Sequence, residues 1–228
     1  MSALVRMRLV GFLRTGRAVA PLLAALLVLG ILYGGGQARP AEAYGVCAVV
    51  LFPVLAWQTK ILLDVEPDVQ RRMAQVLVGP ARERAAGLLA AVVAGFGTIL
   101  VALAFPWLVG GLVVPGPGDL PLPAALGLGL WAHLLALLPA TALGALASRA
   151  LTRSAGYGVA VLALGVVGTL VLGLRGSVAP WLAPPVLATA RALAGPLPVG
   201  TALFLSAGAV AWAGLALAGY AWRRRTRP

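Results

Sequence analysis

The sequence predicts an all-α integral membrane protein with six transmembrane helices, and three observations carry that expectation. Of 228 residues, 61% are hydrophobic and 11% are charged, whereas a soluble domain carries roughly 25% charged residues. The apolar residues come in runs of about 20, the length that crosses a hydrocarbon core of roughly 30 Å. The runs are rich in Leu, Ala, Val and Gly and do not alternate apolar with polar, so they read as helices and not barrel strands. Residues 1–228 form one transmembrane domain on this reading. The single Cys47 lies inside an apolar run and offers no disulfide framework or metal spacing. The first apolar run starts late and is long enough to span, unlike a cleavable signal peptide.

Residues 1–17 scatter Arg6, Arg8, Arg14 and Arg17 among Leu, Val, Met and Phe. At about 100° per residue Arg6, Arg14 and Arg17 share one side and Arg8 falls opposite. This segment is expected to lie along the membrane surface as an interfacial helix, held by apolar contact and anionic lipid. The first span is placed at 18–33, followed by a polar loop at 34–43. The second covers 44–63 with Pro53 inside, and Lys60 and Asp64 near its end are spaced to pair. The third, 85–114, is interrupted by Phe105-Pro106-Trp107, and the loop PGPGDLPLP follows at 115–123. The fourth covers 124–147, with His133 and Pro139 inside. A short loop at 148–156 carries Arg149 and Arg153, and the fifth span covers 157–174. Residues 175–198 are too broken by proline to span and too apolar for an ordinary loop, so they are expected to dip into the membrane as a broken, re-entrant segment. The sixth span covers 199–222 and ends in the basic tail RRRTRP.

Charge sets the orientation. Fifteen Lys and Arg lie on the side of the termini, and only Arg39, Arg175 and Arg191 lie on the other. The positive-inside rule then places both termini in the cytoplasm and the chain in the cell (inner) membrane. The net charge of +12 flanks the apolar runs and builds no soluble face, which excludes a nucleic-acid partner.

The polar stretch Asp64–Arg84, DVEPDVQRRMAQVLVGPARER, stands apart because it separates two spans and cannot itself cross. It holds four of the six acidic residues, Asp64, Glu66, Asp68 and Glu83. Asp64 and Glu66 are expected at a helix N-terminus, with Pro67 in its first turn. Val65, Val69, Met73, Val76 and Leu77 form one apolar stripe, and Gly79-Pro80 ends the helix. Such a helix rests on the membrane face or presses into a partner.

What is missing narrows the function. No Asp, Glu, Lys or Arg lies in the middle of a span, where ion-coupled pumps place their relays. His133 is the one ionisable group near mid-membrane and reads as a helix–helix hydrogen-bonding residue. No nucleophile has a base beside it, and Lys60 follows Trp-Gln-Thr, not a phosphate-binding loop. The chain is therefore expected to be no enzyme and to hold no cofactor. Energy for any transport must enter from a partner, and Asp64–Arg84 is the longest loop on the basic side.

In layout the chain resembles the permease subunits of ATP-binding cassette (ABC) exporters, in the six-span branch that includes antibiotic, polysaccharide, lipid and haem exporters. Candidates for that family's three extra features are 1–17 (interfacial helix), 66–79 (coupling helix) and 176–198 (broken segment). The local match is MAQVLVGPARERAAGLL, with Pro80, Arg82 and Gly87 in the places of the family's proline turn, arginine and small residue opening the next span. Where the family often shows Gly-Thr-Leu-Glu, this chain has Val69-Gln70-Arg71-Arg72. The resemblance implies separate ABC ATPase subunits that hold the ATP and Mg, and a second permease, identical or homologous. It also implies export of a hydrophobic or amphipathic substrate. The ATPase contact would comprise Glu66, Asp68, Val69, Gln70, Arg71, Arg72, Met73, Val76, Leu77 and Arg82, the apolar residues in a cleft and Arg71, Arg72 and Arg82 at its rim. A non-transporting membrane scaffold or immunity protein, with this helix on lipid or on a regulator, is the second expectation. A stand-alone secondary transporter or membrane-embedded enzyme is the third.

Overall fold

The computed structural model describes residues 1–116 and 119–226. These are helical for 79% of the chain, and no strand occurs among the described residues. The helices are α1 (Ser2–Arg14), α2 (Val19–Tyr33), α3 (Pro40–Leu63), α4 (Asp68–Val78), α5 (Pro80–Leu108), α6 (Leu122–Leu146), α7 (Arg149–Thr152), α8 (Ala155–Leu172), α9 (Val186–Ala192) and α10 (Val199–Thr226). Five of them are long and apolar enough to cross a membrane: α3, α5, α6 continued by α7, α8 and α10. A sixth arises only if α1 and α2, bent by 72° at their junction, are taken together. Alone, the 15 residues of α2 reach only about 22 Å at 1.5 Å per residue.

Element ends differ from expectation for local reasons. α3 begins at Pro40, whose fixed φ suits the first helical position, so part of the expected 34–43 loop is helix. α5 begins at Pro80 and runs through Pro106 to Leu108. Beyond it the chain is no longer helical, and Leu112 bridges to Ala38. Residues 175–198 form two short helical pieces, a 3-10 turn at Pro180–Leu182 and α9. α1 ends at Arg14, and Gly16, at φ +69°, turns the chain towards α2.

α3 and α6 are the central pair and make the most extensive contact in the bundle. Small residues let them approach. A Cβ on Gly144 would collide with the Ala56 carbonyl and lie 2.6 Å from Thr59 Cβ. α9 also packs closely on α3, since a Cβ on Gly45 would lie 3.2 Å from the Ala190 backbone. Around this contact Tyr44, Leu51, Phe52, Leu55 and Ile99 are buried. His133 joins the pair: its Nδ1 lies 2.7 Å from the Gly129 carbonyl and its Nε2 3.4 Å from Cys47 Sγ. A carbonyl only accepts, so Nδ1 carries the hydrogen, and Nε2 is the ring nitrogen that meets the Cys47 sulfur. α8 and α10 lie outside and expose Val159, Leu164 and Val167, and Leu203, Phe204 and Leu215. Trp131 Nε1 donates to Ser206 Oγ at 3.1 Å and ties α10 to α6.

Candidate functional site

The stretch between α3 and α5 is built on two tight connections. α3 ends at Lys60–Leu63, four residues make a bend, and α4 follows with Pro67 at its extended N-cap. Proline also disfavours helix for the residue before it, so Glu66 stays in the bend. At the other end Gly79 alone separates α4 from α5. Its φ of +85° is open to glycine and costly for other residues. α4 therefore cannot drift far from the ends of either long helix.

Asp64 and Glu66 do not sit on the α4 N-terminus as expected. Both turn inward, because buried cations offer a stronger partner than a helix end. Lys60 Nζ donates to Asp64 Oδ2 at 2.9 Å, the pairing that their spacing predicts. The Arg149 backbone N–H donates to Asp64 Oδ1 at 2.7 Å. The Asp64 carbonyl accepts from Arg17 at 3.0 Å and from the Arg149 guanidinium at 2.8 Å. Glu66 pairs with Arg8. Arg8 also donates to Glu83 Oε1 at 2.7 Å and to the Glu83 carbonyl at 2.9 Å. Arg224, from the end of α10, meets Glu83 Oε2 at 3.3 Å.

Arg8, Glu66 and Glu83 are 7%, 6% and 2% exposed. A charge so buried is tolerated only when paired, and here two carboxylates face two guanidinium groups. Gly87 makes the room, because any Cβ there would collide with the Arg8 guanidinium. One network thus joins α1, the α3–α4 bend, the start of α5 and the end of α10, with α7 bound to the same bend. Sequence reasoning missed it. The signal was present in Arg8, which falls opposite the other arginines of the N-terminal segment: Val5, Arg8 and Phe12 are the buried face of α1.

The expected contact residues divide in two. Glu66 and Arg71 are buried inside the protein and are not on the outer face. Arg71, expected at the rim, donates to the Leu63 carbonyl at 3.2 Å, the Glu66 carbonyl at 3.3 Å and Asp68 Oδ1 at 3.2 Å. It neutralises the C-terminal carbonyls of α3, where cations are favoured. Val65, expected on the stripe, packs instead beside the buried cluster of Val5, Phe12 and Leu62. Asp68, Val69, Gln70, Arg72, Met73, Val76, Leu77 and Arg82 are exposed. Val76 is 86% and Leu77 81% exposed, as bare as any apolar side chains on this helix. α4 is thus inverted. A surface helix on a water-soluble core turns its apolar stripe inward, whereas α4 turns in Arg71, Ala74 and Gln75 and presents Val69, Met73, Val76 and Leu77 outward.

Among the described residues no three His, Cys, Asp or Glu side chains converge as a metal site. No family model matches the chain, and no curated protein or solved structure is significantly similar to it.

Proposed function

We propose that this chain is the membrane-spanning permease subunit of an ATP-binding cassette exporter and that α4 docks onto a separate ATPase. The inverted α4 carries the reading. Its outward apolar stripe calls for a covering surface, and its inward face is hydrogen-bonded to the end of α3, the bend and the start of α5, which the buried ion pairs join in turn to α1 and α10. Burying four such side chains is worth about 1.5–3 kcal/mol each before the cost of association. A push on α4 would reach α1, α3, α5 and α10 through charges that cannot separate cheaply.

In this reading both termini and α4 are cytoplasmic, α1 lies along the inner surface, and 175–198 re-enters from the outside. Two permeases, alike or homologous, enclose the path of a hydrophobic or amphipathic substrate, and the partner ATPase supplies ATP and Mg.

The test is co-purification with an ATPase encoded beside this chain, with ATP hydrolysis and transport measured on the complex. Met73→Glu and Leu77→Glu are expected to abolish assembly or uncouple it while the isolated chain keeps its thermal stability, because both side chains are exposed. Normal assembly and transport with both changes overturns the proposal.

A further inference from the structure

Beside α4, on the same end of the bundle, a cleft of about 1070 Å³ opens between α4, the start of α5, α7 and the end of α10. Ligand cavities commonly span ~300–1,000 Å³. Seven arginines line it against one carboxylate, Asp68, which already faces Arg71. Three of the seven are held within the protein: Arg71 by Asp68 and backbone carbonyls, Arg149 by the Asp64 carbonyl, Arg224 by Glu83. The side chains of Arg72, Arg84, Arg153 and Arg225 make no hydrogen bond or ion pair among the described residues. Packing like charges around a concavity costs free energy unless an anion fills it, and low-dielectric walls focus that field.

We infer that this cleft binds the phosphate headgroup of an anionic lipid. Guanidinium forks match phosphate oxygens in pairs, so arginine suits this ligand better than a scatter of lysines would. The chemistry alone also fits free phosphate or pyrophosphate. The surroundings favour a lipid. The cleft lies where the apolar exposed course of α10 ends and, past α7, that of α8 begins, and Trp222 and Tyr157 stand exposed at those ends. Aromatic residues at that level mark the headgroup region of a membrane protein. Arg153 also holds φ at +59°, a left-handed conformation uncommon for a non-glycine residue. The inference rests on this end facing a membrane surface and is independent of any ATPase.

The test uses the purified chain alone in a neutral detergent, titrated with fluorescent phosphatidylglycerol. R72A/R84A/R153A removes three side chains that bond to nothing else, and R6A/R14A/R223A removes the same charge elsewhere. The first is expected to weaken binding about tenfold or more, the second less than about twofold, and pyrophosphate to compete. R72K/R84K/R153K, with charge but no fork, is expected to fall between. Equal loss in both alanine triples overturns the inference by reducing it to general positive charge. Pyrophosphate binding without lipid binding overturns the lipid as ligand. Unchanged lipid binding in R72A/R84A/R153A overturns the inference outright.

Discussion

Arg8→Ala is the most revealing single change. Glu83 would keep Arg224, but Glu66 would lose its ion partner while remaining buried. Its other oxygen, Oε1, has no hydrogen-bond partner in any case. Removing one member of a buried pair costs about 3–5 kcal/mol, because the remaining charge is uncompensated. At about 2–4 °C per kcal/mol for a chain of this size, the apparent Tm should fall by roughly 6–20 °C. Thermal unfolding in detergent, followed by tryptophan fluorescence, measures it. Glu66→Gln in the same background removes the stranded charge and should recover a large part of the loss, so the pair is strongly non-additive. Amide hydrogen exchange supplies a second readout: residues 64–78 should exchange faster in Arg8→Ala than in wild type, since the bend and α4 lose their tether to α1. A Tm change under about 2 °C, or no recovery by Glu66→Gln, would refute the idea that this network holds α4 in place.

Two further changes probe the bundle. Gly144→Val forces a side chain into the Ala56 carbonyl and should destabilise by ~3 kcal/mol or more, because backbone cannot yield; Gly168→Ala in α8, which meets nothing within 4 Å, should be neutral or slightly stabilising, and equal effects in thermal unfolding would contradict the α3–α6 contact. His133→Leu removes the hydrogen bonds to Gly129 and Cys47 and should cost about 1–2 kcal/mol; on the proposed function the pH profile of transport should stay unchanged, and a shifted profile would make His133 part of a proton path.

Much of the fold was legible along the chain because each span must satisfy its own backbone in apolar surroundings. Length and hydropathy therefore mark a helix without knowledge of its neighbours. That is why the cores of α3, α5, α6, α8 and α10 fall close to their expected places. Ends were less legible. Pro40 and Pro80 open helices, and a proline between apolar residues can equally read as an interruption, as Pro106 does within α5. α4 was visible from its stripe and from Gly79-Pro80. Which way the stripe faces was not, because a helical period is the same whether the stripe packs in or out.

The sequence by itself determined that the chain is helical, that its apolar runs are long enough to cross a membrane, of which it counts six where the structure has five and a sixth only if α1 and α2 are joined, and that its positive charge collects at one end. These are properties of composition and short-range spacing. Only the tertiary structure decided which charges at that end are structural and which are free. Arg8 and Glu83 are 75 positions apart, and Arg224 and Glu83 are 141 apart. No local pattern encodes such a pairing, which exists because α1, α5 and α10 converge on one point where burial makes an unpaired charge intolerable. The same convergence leaves Val69, Met73, Val76 and Leu77 facing outward: the inner face of α4 is taken by Arg71 and Gln75, whose polar groups have partners only there.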